Sequence, residues 1–380
     1  MIVKCIGPIS EISASDWDAL GNPNDPFTTH AFLKALEDCG AVKPETGWQP
    51  VHMIVEQEGR AIAATPLYIK GHSYGEYIFD WGWAEASERA GLPYYPKLLS
   101  AVPFTPATGH RFLVGSAADT EATMLREALW SGMKGLAGSI KASSVHVLFG
   151  TEEEAVQLSQ SPERLHRITH QFHWTRPDVN TFDEWLGLFR SKDRKKIRRE
   201  RQKAACEVDS ISVLTGAELT DDHINTLWSY YRDTCARKWG EAYLKRGFFD
   251  SLRTTLAPMT RVFVAQKESQ IVATSLCFER GNHLYGRYWG CNDLYDSLHF
   301  ELCYHQPIEY CLKQGLTRFE AGAQGMHKVK RGLMPTEIHS VHWLAHPGLS
   351  QAVADSLIHE KVRIDSEIAI LSERGPFRRG

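Results

Sequence analysis

Short apolar runs, some alternating with polar residues and some continuous, are separated by stretches with helical spacing, the pattern of a mixed α/β fold. Residues 2–6 read as a first strand. A short helix with a serine N-cap covers 15–20, and a turn follows at Asn22-Pro23-Asn24-Asp25-Pro26. Residues 27–39 read as a second helix ending at Gly40. Residues 51–57 and 60–70, joined at Glu58-Gly59, make a hairpin. Next come a helix at 94–101, a proline-rich edge or bulged strand at 102–106, and a helix at 120–136. Strands are expected at 145–149 and 165–174. The later chain reads as one helix over 182–205, a strand at 211–214, and helices at 221–238 and 248–256. A strand at 285–290 leads into a helix carrying Leu298, Leu302, Ile308 and Leu312, with Gly315 as its C-cap. Strands at 317–320 and 337–344 and a helix at 350–373 complete the pattern.

The hairpin recurs. Val55-x-Gln57, Ile62, Ala64-Thr65 and Leu67 align with Val264-x-Gln266, Ile271, Ala273-Thr274 and Leu276, and Tyr74-Gly75-Glu76-Tyr77 then matches Tyr285-Gly286-Arg287-Tyr288. The same order over both stretches indicates two copies of one α/β unit. Arg176-Pro177-Asp178 marks the crossing, giving domains over 1–176 and 177–380, each of ordinary domain size.

Composition adds limits. With 43% hydrophobic and 23% charged residues the chain is an ordinary globular protein. No signal peptide and no long apolar segment is read, and the eight cysteines show neither zinc nor disulfide spacing, so a cytoplasmic protein with reduced thiols and no metal is expected. The net charge of −3 leaves basic surface to local runs. The strongest is 190–203, where nine of fourteen residues are Lys or Arg. It self-repels, and an anionic partner would relieve it: a phosphate, tRNA or an acidic lipid head group. Arg194 and Arg198, spaced i,i+4, share a face and could hold one phosphate.

The second concentration of chemistry is the segment 281–332. Arg287, Tyr288 and Trp289 lie on its aromatic strand, and its basic, glycine-containing loop carries His327, Lys328, Lys330 and Arg331. Loops beyond the carboxyl ends of strands are the usual ligand sites of open α/β sheets, and glycines let backbone N–H groups approach an anion. No Ser-His-Asp set or H-E-x-x-H motif is present.

Two segments carry a family resemblance. One is Lys192-Asp193-Arg194-x-x-Ile197-Arg198 before a short strand. The other is Tyr304-x3-Ile308-Glu309-Tyr310-Cys311-x3-Gly315-x3-Phe319-Glu320-Ala321-Gly322 with His327-Lys328-x-Lys330-Arg331-Gly332. Together they resemble the FemAB-type acyltransferases, built from two tandem GNAT-like domains. The resemblance implies an N-acyltransferase of α/β class, each domain a mixed twisted sheet flanked by helices, with the catalytic cleft in the second. It implies transfer from acyl-CoA or aminoacyl-tRNA, neither tightly bound, to an amine, including that of a cell-wall or lipid-linked precursor carrying phosphate. Glu320, His327 and Lys330 are the expected catalytic residues. Lys328, Arg331 and Arg287 are expected at the donor, and Arg194, Arg198, Tyr288 and Trp289 at the acceptor. The chain departs from the pattern in two places. The basic helix runs straight into a strand, without the family's helical arm, and Cys291-Asn292-Asp293-Leu294-Tyr295-Asp296 stands where a GNAT pyrophosphate loop is expected. The alternative is a non-catalytic GNAT-like protein that binds an anionic lipid- or nucleotide-linked ligand. Membrane-surface contact and oligomeric state stay open.

Overall fold

The computed structural model describes residues 1–380 except 239, 294, 323, 324, 379 and 380, and gives the backbone alone for Lys238. The chain forms two compact units, Met1–His170 with Glu337–Ser366, and Gln171–Thr336 with Glu367–Gly380. The segment 337–366, which the sequence reading keeps in the second domain, thus belongs to the first. The reason is strand pairing: His339 to Leu344 pair antiparallel with Gly150 to Ser144.

In chain order the described strands are β1 (Ile2–Cys5), β2 (Trp48–Pro50), β3 (Met53–Gln57), β4 (Arg60–Thr65), β5 (Leu67–Lys70), β6 (Lys97–Ser100), β7 (Ser144–Gly150), β8 (Leu165–Thr175), β9 (Ser210–Thr215), β10 (Thr260–Lys267), β11 (Gln270–Arg280), β12 (His283–Cys291), β13 (Arg318–Glu320) and β14 (Met334–Leu344). The first unit holds a small sheet ordered β1-β3-β4 and a larger run β2-β5-β6-β7-β14. The second holds β13-β12-β11-β10-β9, with the end of β8 paired on β13. In the first unit β6 and β7 are parallel, joined by the helix Asp119–Ser139. In the second unit β12 and β13 are parallel, joined by a helical segment over 298–314. β7 is buried at every residue, on both faces of the sheet, including the polar Ser144 and His146. Leu129, Trp130 and Met133 pack with Leu98, Val145 and Val147 in the first core. Trp185, Phe189, Ile197, Phe263, Leu302, Ile308 and Phe319 build the second. Each such large apolar side chain stabilises its unit by roughly 1.5–3 kcal/mol.

Several expectations shift. The predicted helix at 94–101 is a strand, β6, whose four residues are all buried; a short apolar run does not reveal its period. Residues 102–106 form no strand, consistent with prolines that cannot donate to a ladder. The helix expected over 182–205 is two, Phe182–Gly187 and Ser191–Glu207, separated at 188–190. The duplicated hairpin is real as a shape. Both copies have a two-residue loop, and a bulge falls at Val55/Glu56 in one and Ala265/Gln266 in the other. The loops and bulges correspond one residue away from the sequence alignment, and a one-residue slip exchanges the faces of a strand. Tyr74-Gly75-Glu76-Tyr77 lies in a loop, whereas Tyr285 to Tyr288 lie in β12.

Candidate functional site

The parallel pairing of β12 with β13 covers only His283 to Tyr285 against Arg318 to Glu320. β12 runs on to Cys291, held on its other side by β11. At a bulge at Leu276/Cys277 the register passes from Tyr288 to Gly286, placing Arg287 at the bulge, which re-aims its side chain. The guanidinium lies 5.2 Å from the Tyr288 ring and donates to its hydroxyl at 3.3 Å. Beyond Glu320 the chain passes Gly322 and enters the tight turn Met326–Arg331. The helical segment that connects the two strands contains a π turn, Glu301–His305, a local distortion frequent at functional sites.

This π turn and the basic turn meet. Tyr304 is buried, and its hydroxyl is 2.9 Å from Nε2 of the exposed His327. The His299 ring lies 5.2 Å from Trp289, 5.6 Å from Tyr304 and 6.1 Å from His327. Lys328 is 2% exposed and donates from Nζ to the Gly322 carbonyl at 2.7 Å. Burial lowers its pKa to about 7. Burial pushes the Tyr304 phenol well up, so it stays protonated.

The turn is clamped from below. Arg331 donates to Glu200 at 3.1 and 2.7 Å and to the His327 carbonyl at 2.9 Å, and its guanidinium lies 3.4 Å from the Phe300 ring centroid. Glu200 belongs to the basic helix Ser191–Glu207 and also meets His305 at 3.3 Å. Burial alone would raise Glu200, but the His305 hydrogen bond and the Arg331 charge hold it below the usual value.

Of the expected residues, His327, Lys328 and Arg331 come together with Tyr304, and Trp289 joins them through His299. Arg331 serves a buried ion pair rather than an open anion site. Lys330 points elsewhere, capping the Arg374 carbonyl at 2.8 Å. Glu320 is buried against Arg318 at 2.5 Å and His173 at 3.6 Å. Tyr288 packs edge-on to Tyr231 at 4.9 Å. Arg198 faces Asp183 at 3.4 Å beside a cavity of about 340 Å³ that Arg201 and Lys313 also line. Arg194 is half-buried and makes no ion pair among the described residues. The self-repulsion expected of the basic helix is largely offset: Arg190, Lys196, Arg198, Arg201 and Lys203 each face a carboxylate. Glu200, Phe300 and the Tyr304 hydroxyl escaped the sequence reading. The one available signal for Glu200 was an acid inside a run of cations.

The family model described as FemAB-like, peptidoglycan biosynthesis/recognition, matches residues 8–379. The chain belongs to the FemAB-like family. Among solved structures, FemX is similar at 13% identity and TM-score 0.55, over 90% of this FemAB-like chain and 98% of FemX. The C-terminal domain of a putative lysylphosphatidylglycerol synthetase from Agrobacterium fabrum is similar at 9% identity and TM-score 0.55, over 91% and 95% of the two chains. A tandem GNAT protein from the clavulanic acid biosynthesis pathway matches at 11% identity and TM-score 0.45, over 91% and 99%. No curated protein sequence matches. At these identities the structural likeness concerns the fold: the FemAB-like chain has two mixed α/β units, as expected from its sequence, and shares the fold of FemX. Among its described residues no helix is long and apolar enough to cross a membrane.

Proposed function

We propose that the second unit transfers an acyl or aminoacyl group from an activated carrier to an amine of a cell-wall precursor. The observation that carries this reading is Lys328, a buried lysine titrating near neutrality. It is tied to a carbonyl two residues past the last paired residue of β13. In the transfer, the amine nitrogen bonds to the carrier's carbonyl carbon. The C–O or C–S bond to the carrier breaks, and the proton lost by the amine ends on the leaving oxygen or sulfur. A lysine with a pKa near 7 can take that proton and pass it on. The Tyr304 hydroxyl can donate to the oxyanion of the tetrahedral intermediate. His327 orients Tyr304 through their hydrogen bond. The loop before the helical segment favours an ester-linked donor such as aminoacyl-tRNA over acyl-CoA. It offers Asp293 and Asp296, with Asp296 held by Lys203 at 2.5 Å, where a pyrophosphate would need positive charge.

The test is product formation, followed by mass, from aminoacyl-tRNA and acyl-CoA donors with peptidoglycan-precursor amines. Rate should rise with pH through about 7 as Lys328 loses its proton. Lys328→Arg, which keeps charge but does not titrate there, should lower kcat by roughly 10²–10⁴-fold and remove that rise. An unchanged kcat and profile would exclude Lys328 from the chemistry. Saturable precursor binding with no product from any donor would instead favour a recognition protein.

A further inference from the structure

The first unit contains a cavity of about 640 Å³ that none of the candidate site residues lines, large enough for a small ligand. Its lining includes His110, Asp119, Thr123, Arg126, Glu153 and Gln157. Two independent features converge there. The helix Asp119–Ser139 runs 21 residues and opens on Ala118, which offers no capping side chain, and Asp119, Ala122 and Thr123 from its start line the cavity. Arg126 is 6% exposed, and its Nε has no hydrogen-bond partner. The Gln157 Nε2 and the His110 Nδ1 are likewise buried without a hydrogen bond, the latter 4.0 Å from the Glu154 carboxylate. Three orphaned buried side-chain nitrogens around one cavity are unusual, because leaving such a group unsatisfied costs about 1–3 kcal/mol. Glu153 lies 3.7 Å from Arg126 with its own side chain 77% exposed, so it compensates the guanidinium only in part.

We infer that this cavity binds the carboxylate of an amino acid or of a peptide C-terminus. Arg126, Gln157 and the helix start supply donors to the carboxylate. An oriented guanidinium and a helix N-terminus each favour a negative group. Asp119 and Glu153 place negative charge on the same lining, where the ligand's ammonium group finds a partner. The pairing of donors with two acids selects a zwitterion over a phosphate, which the acids would repel. The site lies wholly in the first unit and stands whether or not the second unit is a transferase.

Isothermal titration of the full chain tests it with free alanine, Ala-Ala and the C-terminal amide of Ala-Ala. Binding of Ala-Ala should weaken about tenfold or more in the amide. The same loss is expected in Arg126→Gln. Gln157→Glu is the control for folding: it keeps the volume and strengthens the contact with Arg126, seen here as a 2.5 Å hydrogen bond, yet presents a carboxylate to the ligand's own. It should abolish binding while the melting temperature holds. Alanine binding as tightly as the dipeptide assigns a free amino acid, and binding of the dipeptide alone assigns a peptide end. Equal binding of acid and amide, insensitivity to both substitutions, or no heat at millimolar ligand each overturns the inference.

Discussion

Glu200 sits among nine cations, yet its carboxylate faces inward, with its side chain 9% exposed and that of Arg331 4% exposed. A buried ion pair of this kind contributes little over an apolar pair of similar shape, but removing one partner leaves an uncompensated charge. Glu200→Ala should therefore cost about 3 kcal/mol, read as a lower urea midpoint. The double variant Glu200→Leu/Arg331→Met should recover much of that stability, because no charge is then stranded. If the pair serves the site as well as the fold, the double variant should stay impaired in transfer. Arg331 holds the carbonyl of His327, the residue adjoining Lys328, and methionine cannot.

At the level of elements, legibility followed the strength of local pattern. The helices at 119–139 and 221–238 and the hairpins were readable because their periods and turn residues are strong, whereas 191–207 was read fused to the short helix before it. Gly315 takes φ +75° at the end of Gln306–Gln314, as a glycine C-cap predicts. β6 was not readable: four buried residues without alternation look the same in a helix or a strand. The basic turn was legible as a candidate site, but its internal contacts were not. Sequence shows that Lys328, Lys330 and Arg331 are cations. Only packing decides that Lys328 is buried and neutralisable, that Arg331 is ion-paired, and that Lys330 caps the end of another helix. A close approach was likewise invisible. A Cβ on Gly290 of β12 would fall 2.3 Å from the Tyr230 Cβ and 2.9 Å from its backbone carbon and oxygen. The helix Asp221–Lys238 therefore rests directly on β12. Gly290→Ala should destabilise by roughly 1–3 kcal/mol in thermal unfolding, and shortening Tyr230 to Ala should not rescue it, since the clash includes backbone.

Across the whole molecule, duplication of the fold has not duplicated the site. In the first unit the parallel pairing of β6 and β7 covers Leu98 to Ser100 against Val145 to Val147. The space beyond it is occupied by Arg111, which is 1% exposed and donates to the carbonyls of Leu148 at 2.9 Å and Ala107 at 2.6 Å. In the second unit Lys328 and Tyr304 gather beyond the paired stretch of β12 and β13, and the transfer proposed above belongs to that unit. The two units share a different property, a set of buried and half-buried neutral histidines. Burial lowers His146 to about 3, His166 and His283 to about 4, and His173, His305, His339 and His342 below their ordinary value. Above pH 6.5 neither the folded nor the unfolded chain protonates these rings, and they do not affect stability. As pH falls below 6.5 the unfolded chain takes up protons that the folded chain refuses, so unfolding is favoured progressively down to the folded values. Glu76, raised to about 7 chiefly by burial, works against this between pH 7 and 4.5, where the folded chain alone holds its proton. One carboxyl opposes seven rings, and the histidines prevail. The melting temperature should therefore fall steeply between pH 6.5 and 4. His146 and His342, 2.7 Å apart through their Nδ1 atoms, account for part of the slope. In His146→Asn/His342→Asn the fall should be shallower even if the variant is less stable at pH 7.5, and an unchanged slope would mean that these two rings already carry protons in the folded chain.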